Sequence, residues 1–229
     1  MRKIAIISAI ALVLVALGGW LAIARKTAPD HRPALGLFTT LPILWNEAPD
    51  VAAQLQDSAP PHWVKAALER RFRVVPLDTL DKMNGVRMLL MAQPRALSPA
   101  ENVALDDWVR GGGQVLLFAD PMLTWESAFP IGDPRRPQDV VLLSPILTRW
   151  GLELTFDDGQ PGGLREIAGN GLPVNLPGRL RLRSGAAASC RIGAGKAIIV
   201  ADAAVLEPSP DPVRAGAAVV SLLLRAFGP

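Results

Sequence analysis

The chain has 229 residues, half of them hydrophobic and 20% charged, with 20 Gly and 21 Pro, a composition that excludes a disordered tail and a coiled coil. One cysteine, Cys190, excludes an intramolecular disulfide framework and a multi-cysteine metal site, and two histidines, His31 and His62, cannot build a His-rich metal centre. The net charge of +3 misleads: Arg2, Lys3, Arg25, Lys26 and Arg32 against Asp30 place +4 in residues 1–32, leaving −1 for 33–229 and no basic surplus for nucleic acid.

Residues 1–3 read as a short cytoplasmic tail. From Ile4 to Ala24 no residue is charged. As a helix this run spans ~30 Å, the thickness of a bilayer core. Basic residues flank it on both sides, and Trp20 stands where an interfacial aromatic belongs. A signal peptide cut after Ala24 is the rival, but the run exceeds the usual ~7–15-residue apolar core of such peptides. The expectation is a single-pass anchor in the inner membrane, with the rest of the chain on the periplasmic side. Residues 25–33, polar and with two prolines, read as a linker.

From residue 34 short apolar runs alternate with helical patterns, the signature of an α/β domain with a largely parallel sheet. Strands are expected at Leu35–Phe38, Arg73–Pro76, Val86–Ala92, Gln114–Ala119, Leu152–Phe156, Leu180–Arg183 and Lys196–Ala201. The near-continuous apolar runs in the third and fourth suit strands covered by helices on both faces. A helix over about His62–Phe72 buries Val64, Ala67, Leu68 and Phe72. Ser98-Pro99-Ala100-Glu101 predicts an N-cap, a proline in the first turn and a capping box. That helix runs to Arg110, with Ala100, Val103, Ala104 and Trp108 as its buried stripe and Gly111 as its stop. Ser144-Pro145 opens a short helix that closes at Gly151. The last helix, about Pro212–Phe227, carries Val213, Ala217, Val220, Leu224 and Phe227 on one face. Its apolar stretch is too short for a second membrane span.

The segment 111–120 (GGGQVLLFAD) is echoed at 193–202 (GAGKAIIVAD). Each copy turns on glycines into a buried strand that ends on an aspartate. Ten residues do not establish duplication, and shared strand grammar explains them.

Ligands of open α/β sheets bind beyond the carboxyl ends of the strands. The residues delivered there are Thr39, Thr40, Asp78, Gln93, Asp120 and Asp202. Asp120 and Asp202 are the candidates for acid/base work or for holding a cation, against a plainer role as turn and cap residues. The loop after the first strand is the second candidate, with Trp45, Asn46 and Glu47 as contact residues; binding and simple disorder compete there. Gly193-Ala-Gly-Lys196 lacks the spacing of a phosphate loop and enters a strand, not a helix. No Gly-x-Ser-x-Gly elbow occurs. Cys190 lies between predicted strands. No catalytic set emerges, and no cofactor is expected.

Three stretches carry a family resemblance: residues 87–122 (RMLLMAQPRALSPAENVALDDWVRGGGQVLLFADPM), 143–154 (LSPILTRWGLEL) and 193–207 (GAGKAIIVADAAVLE). Their order resembles the exported domain of auxiliary subunits of uncharacterised ABC transport systems, the gliding-motility auxiliary subunit among them. It is also similar to domains shaped like class I glutamine amidotransferases. The resemblance implies a flavodoxin-like three-layer domain beside an ABC permease and ATPase. It implies no amidotransferase chemistry, because Asp120-Pro121 stands where the nucleophilic cysteine would follow a central strand. The expected protein is therefore a membrane-anchored, non-enzymatic binding or scaffold component of an ABC-type transport system. The alternatives are a hydrolase using Asp120 and Asp202, and a structural domain without a ligand.

Overall fold

The computed structural model describes residues 30–228 apart from 49, 51, 53–54, 56–59, 167–171, 182–185 and 210. The tail 1–3, the apolar run 4–24 and most of the linker lie outside the described residues. Among those described, no helix is long and apolar enough to cross a membrane. In chain order the elements are β1 (Ala34–Thr39), α1 (Trp63–Glu69), β2 (Arg73–Pro76), β3 (Met88–Ala92), α2 (Pro99–Arg110), β4 (Gln114–Phe118) and α3 (Ser144–Arg149). There follow β5 (Glu153–Thr155), β6 (Arg165–Glu166), β7 (Pro173–Val174), β8 (Arg179–Arg181), β9 (Ala187–Ile192), β10 (Gly195–Val200), a 3-10 turn at Ala204–Leu206 and α4 (Pro212–Phe227).

Six strands form one sheet in the order β2-β1-β3-β4-β10-β9, parallel except for the edge strand β9. The five parallel strands thus follow the doubly wound, flavodoxin-like order. Because successive side chains on a strand point to opposite faces, each apolar run supplies two cores. Leu35, Leu37, Leu90, Leu116 and Phe118 pack with Val64, Leu68, Val219 and Leu222 of α1 and α4. Phe38, Leu89, Met91, Val115 and Leu117 pack with Leu105, Val109, Ile146 and Leu147 of α2 and α3. The architecture is three layers, as the uninterrupted apolar strands require.

Helix punctuation follows the local rules. The Ser98 hydroxyl accepts from the Glu101 N–H at 3.2 Å while the Glu101 carboxylate accepts from the Ser98 N–H at 2.9 Å. His62 caps α1, its Nδ1 accepting from the Val64 N–H at 3.3 Å. That helix ends earlier than expected, at Glu69.

Two helix faces differ from expectation. On α2 the buried residues are Glu101, Leu105, Asp106 and Val109, while Val103 is 62% exposed. The cause is charge pairing: Asp106 accepts from Arg110 Nε (2.9 Å), Trp150 Nε1 (3.1 Å) and Arg149 Nε, bolting α2 to α3. Arithmetic of apolar residues cannot foresee a buried carboxylate satisfied by three donors. On α4 the buried face is Ala215, Val219, Leu222, Leu223 and Ala226. Most of the expected stripe points outward, with Val213 82% and Leu224 54% exposed, but Phe227 packs against the core edge-on to Phe72. This helix is apolar on more than one face, so periodicity alone could not select the inner one.

Two expected strands leave the main sheet. Glu153–Thr155 and Arg179–Arg181 pair antiparallel with each other instead. The sixth position of the sheet goes to β9, where no strand is expected from the sequence. Its Ala188, Cys190 and Ile192 point inward and Ser189 and Arg191 outward, the alternation of a strand covered on one side. Cys190 is buried there.

The glycine echo marks two neighbours. Gln114 pairs with Lys196 and Phe118 with Val200, so equivalent residues of the two copies lie side by side. The glycines make room for the end of α2. A Cβ on Gly113 would stand 2.3 Å from the Trp108 ring, and one on Gly195 would stand 2.0 Å from the Val109 carbonyl oxygen.

Candidate functional site

The carboxyl ends of β1, β3, β4 and β10 meet at one rim, and the register just described brings Asp120 and Asp202 there as neighbours. Both are sealed, at 0% and 1% exposure. Asp120 Oδ1 accepts from the Met122 N–H at 2.8 Å and Oδ2 from the Ala203 N–H at 2.9 Å. Asp202 Oδ1 accepts from the Ala204 N–H and Oδ2 from the Asn175 N–H, each at 2.8 Å. Each carboxylate therefore closes the turn that follows its strand and ties it to another segment. Burial pushes the Asp120 carboxyl up to about 6, opposed by its two N–H donors. Burial, with Asp120 beside it, pushes the Asp202 carboxyl up to about 8.

Gln93 is the hub of the rim. Its backbone is left-handed, with φ at 44°, and it is fully buried. Its amide nitrogen donates to the Asp120 carbonyl at 3.0 Å and the Gln138 carbonyl at 2.7 Å, while its amide oxygen accepts from the Asp120 N–H at 2.9 Å. The Thr39 and Thr40 hydroxyls donate to the carbonyls of Ala92 and Gln93, the first at 2.7 Å. On the far side the Asn175 side chain donates to Thr124 Oγ1 at 3.2 Å, and that hydroxyl donates to Glu207 at 2.7 Å. Burial raises the Glu207 carboxyl above its ordinary value. Asn175, Thr124, Gln138 and Glu207 were not singled out from sequence. Nothing marks them locally: Thr124 and Glu207 follow shortly after Asp120 and Asp202, but the bond between them spans 83 residues, and Gln138 and Asn175 reach Gln93 and Asp202 across 45 and 27 residues.

Asp78 joins the rim only through its backbone, its carbonyl accepting from Arg95 at 2.7 Å. The same Arg95 grips Glu101 through two nitrogens, at 2.7 and 2.9 Å. That side-chain pairing and the Ser98 cap hold the Glu101 carboxyl down at about 2, against the opposing effect of burial.

The first loop is also tied down. The Glu47 carboxylate accepts from the Ser127 hydroxyl at 2.9 and 3.0 Å and from the Ala128 N–H. Trp45 is 36% exposed and leans on Phe129 with ring centroids 6.0 Å apart. Asn46 lies between them in the chain, half-buried. The structure thus keeps Trp45 and Glu47 on the loop 125–129 and does not join them to Asp120 and Asp202. Among the described residues, no group of three or more His, Cys, Asp or Glu is placed to hold a metal ion. Away from the rim, a groove of about 770 Å³ runs between α1 and α4, lined by Trp63, Arg70, Arg71, Val213, Ala217 and Val220.

A family model for an ABC-type uncharacterized transport system matches residues 32–158, from the linker to the end of the segment after β5. No curated protein matches the chain. Among solved structures, exo-beta-1,4-mannosidase Op5Man5 from Opitutaceae bacterium strain TAV5 is similar at 15% identity and a TM-score of 0.51, over 84% of this chain and 36% of that one. A beta-galactosidase from Rahnella sp. R3 is similar at 13% identity and a TM-score of 0.52, over 96% of this chain and 35% of that one. The mmIFT52 N-terminal domain matches at 14% identity and a TM-score of 0.50, over 72% of this chain and 89% of that one. The chain spans about a third of the length of the two glycosidases, and at these identities the likeness is one of fold.

Proposed function

This chain belongs to the ABC-type uncharacterized transport system family, matched over residues 32–158, and on that premise we propose that it is a membrane-anchored accessory component that binds and does not catalyse. Residues 4–24 serve as the anchor in the inner membrane, and the α/β domain works on the extracytoplasmic side. The observation that carries the reading is the state of the sheet's carboxyl rim. There the polar side chains that could do chemistry, Gln93, Asp120, Asp202 and Glu207, are engaged in hydrogen bonds to other parts of the same domain. A reacting group needs a free lone pair or proton within reach of a substrate. Side chains that each hold loops in place serve rigidity instead.

The surface offered to a partner is the outer stripe of α4, one of several exposed apolar sites, where Val213 and Leu224 stand exposed. An ABC permease or ATPase is the expected partner. The test is mild detergent extraction of the full chain from its native membrane, followed by identification of what accompanies it. Recovery of a permease or ATPase of the ABC type supports the reading, and a chain that migrates as a lone monomer sinks it.

The hydrolase reading rests on the raised carboxyls of Asp120 and Asp202, since perturbed acids gather at active sites. It requires substrate to reach two groups that are essentially unexposed. Calorimetric titration with Ca²⁺ or Mg²⁺, repeated on Asp120→Asn, decides it: heat of binding that vanishes in the variant would favour the enzyme.

A further inference from the structure

The opposite rim of the sheet, formed by the amino ends of the parallel strands, has a different chemistry. Register and turns place six arginines there. Arg73 pairs with Ala34 at the start of β1, and its N–H donates to the Pro33 carbonyl at 3.0 Å. Arg70 and Arg71 lie in the turn just before it. The Arg87 carbonyl accepts from the Gln114 N–H at 3.0 Å, at the mouths of β3 and β4. Arg191 pairs with Lys196, and the Lys196 ammonium donates to the Arg225 carbonyl at the end of α4. All six guanidinium-bearing residues are exposed.

Their partners are what set them apart. Elsewhere in the domain Arg95, Arg110, Arg135, Arg136, Arg149 and Arg214 each hold a carboxylate. Among the described residues no ion pair engages Arg70, Arg71, Arg73, Arg87, Arg191 or Arg225. Among the described residues the carboxylates at this end are Glu69 and Asp107 at the surface, and Asp106, which is buried under Arg110 and Arg149. Arg225 also complements the carbonyl end of α4. No such helix role applies to Arg73, Arg87 or Arg191, which sit on strands or at their mouths.

The rim is also where the chain departs. β1 begins at Ala34, and residues 25–33 are all that separate it from the apolar run 4–24. Nine residues reach at most ~30 Å, and the linker carries Arg25 and Lys26 of the same sign, while its Arg32 is paired with Asp30. We infer that this rim is a docking face for anionic lipid, with Arg70, Arg71, Arg73, Arg87, Arg191 and Arg225 meeting lipid phosphates beside the tether. The inference rests on the anchored reading above and deepens it. An apolar segment holds the chain in the bilayer, and the rim fixes which end of the domain faces it. Each Lys or Arg near an anionic surface strengthens association by about fivefold, so six act strongly while salt remains low.

The test uses the full chain with Cys190→Ala, reconstituted into vesicles of phosphatidylcholine alone or of phosphatidylcholine and phosphatidylglycerol in equal amounts. A fluorophore is placed at Ala194→Cys, in the exposed β9–β10 turn, or at Ile131→Cys, 89% exposed in the loop after β4. Headgroup spin-labelled lipid is the quencher. The expected result is quenching at position 194 at least about threefold stronger in the anionic vesicles, abolished by high salt. The variant Arg70→Gln/Arg71→Gln/Arg191→Gln/Arg225→Gln should lose it, and position 131 should stay unquenched. Equal quenching in the two vesicles, or an unaltered quadruple variant, overturns the inference while leaving the anchor standing. A chain that floats with neither vesicle overturns the anchored reading, and the inference with it.

Discussion

The two rims of one sheet treat charge in opposite ways. At the carboxyl rim Asp120, Asp202 and Glu101 are drawn inside and hold the loops together. At the amino rim, among the described residues, no ion pair engages the exposed arginines Arg70, Arg71, Arg73, Arg87, Arg191 and Arg225. The domain's net −1 is a sum over two ends of unlike sign and says little about either. A buried carboxyl must be satisfied within the fold, by hydrogen bonds or by keeping its proton, so removing it or its partners costs stability. An exposed unpaired charge contributes little to stability and is free for an outside partner.

That contrast can be broken most forcefully at the carboxyl rim. Asp202→Ala strands the N–H groups of Ala204 and Asn175 inside the domain, and the expected cost is about 2–4 kcal/mol, read from chemical denaturation. A loss below about 0.5 kcal/mol would mean that the rim is looser than its hydrogen bonds indicate. Glu101→Ala removes the capping box and leaves Arg95 without its carboxylate. The expected cost is about 1–3 kcal/mol, and Glu101→Gln should recover part of it by restoring the cap.

The raised Asp202 carboxyl gives a pH signature. Between the ordinary value of 3.8 and about 8, the folded state keeps a proton that the unfolded chain has released. Stability therefore falls as pH rises across that window. Burial of His62 lowers its pKa from 6.5 and acts in the opposite sense, its contribution being lost as pH drops. From about pH 7.5 upward both states hold that histidine neutral, and between 6.5 and 7.5 it offsets only about 0.4 kcal/mol of the carboxyl effect. The denaturation midpoint should thus decline from pH 6.5 to 8.5, by about 1–2 kcal/mol in stability, and Asp202→Asn should flatten the slope. A midpoint that climbs over this range would contradict the assignment.

The smallest stability effects belong to the other rim. Arg73→Gln, Arg87→Gln and Arg191→Gln should each stay within about 0.5 kcal/mol of the parent. A larger loss in any of them would reveal a structural role and blunt the contrast between the rims. Leu224→Asp on the outer stripe of α4 should likewise leave folding nearly untouched, and it should abolish co-purification of the transporter component. Retention of the partner would move the interface elsewhere.

The legibility of the sequence varies with the range of the interaction. The capping box at Ser98 and Glu101 needs only three residues of separation, and it is present as written. The buried strands β3 and β4 announce themselves by runs of large apolar residues. Strand β9 does not, because alternation of Ala, Cys and Ile with Ser and Arg is weak until a neighbour covers one side. The faces of α2 and α4 differ from expectation for a related reason. Asp106 is buried because Arg110, Arg149 and Trp150 converge on it, and two of those three partners come from another helix. At the candidate site, Asp120, Asp202 and Gln93 were visible as strand ends. Thr124, Gln138, Asn175 and Glu207, which complete the network, were not.

From the order of its residues alone this chain commits to alternating strands and helices, to their caps, and to a sheet covered on both sides. Those follow from local geometry and from apolar runs, which neighbouring residues in the chain decide between themselves. The adjacency of Asp120 and Asp202, the inward face of α4, and the gathering of arginines from four separate segments at one end are decided only in three dimensions. Strand order and register determine which distant residues become neighbours, and the electrostatics of a site depend on distance in space, not on distance along the chain.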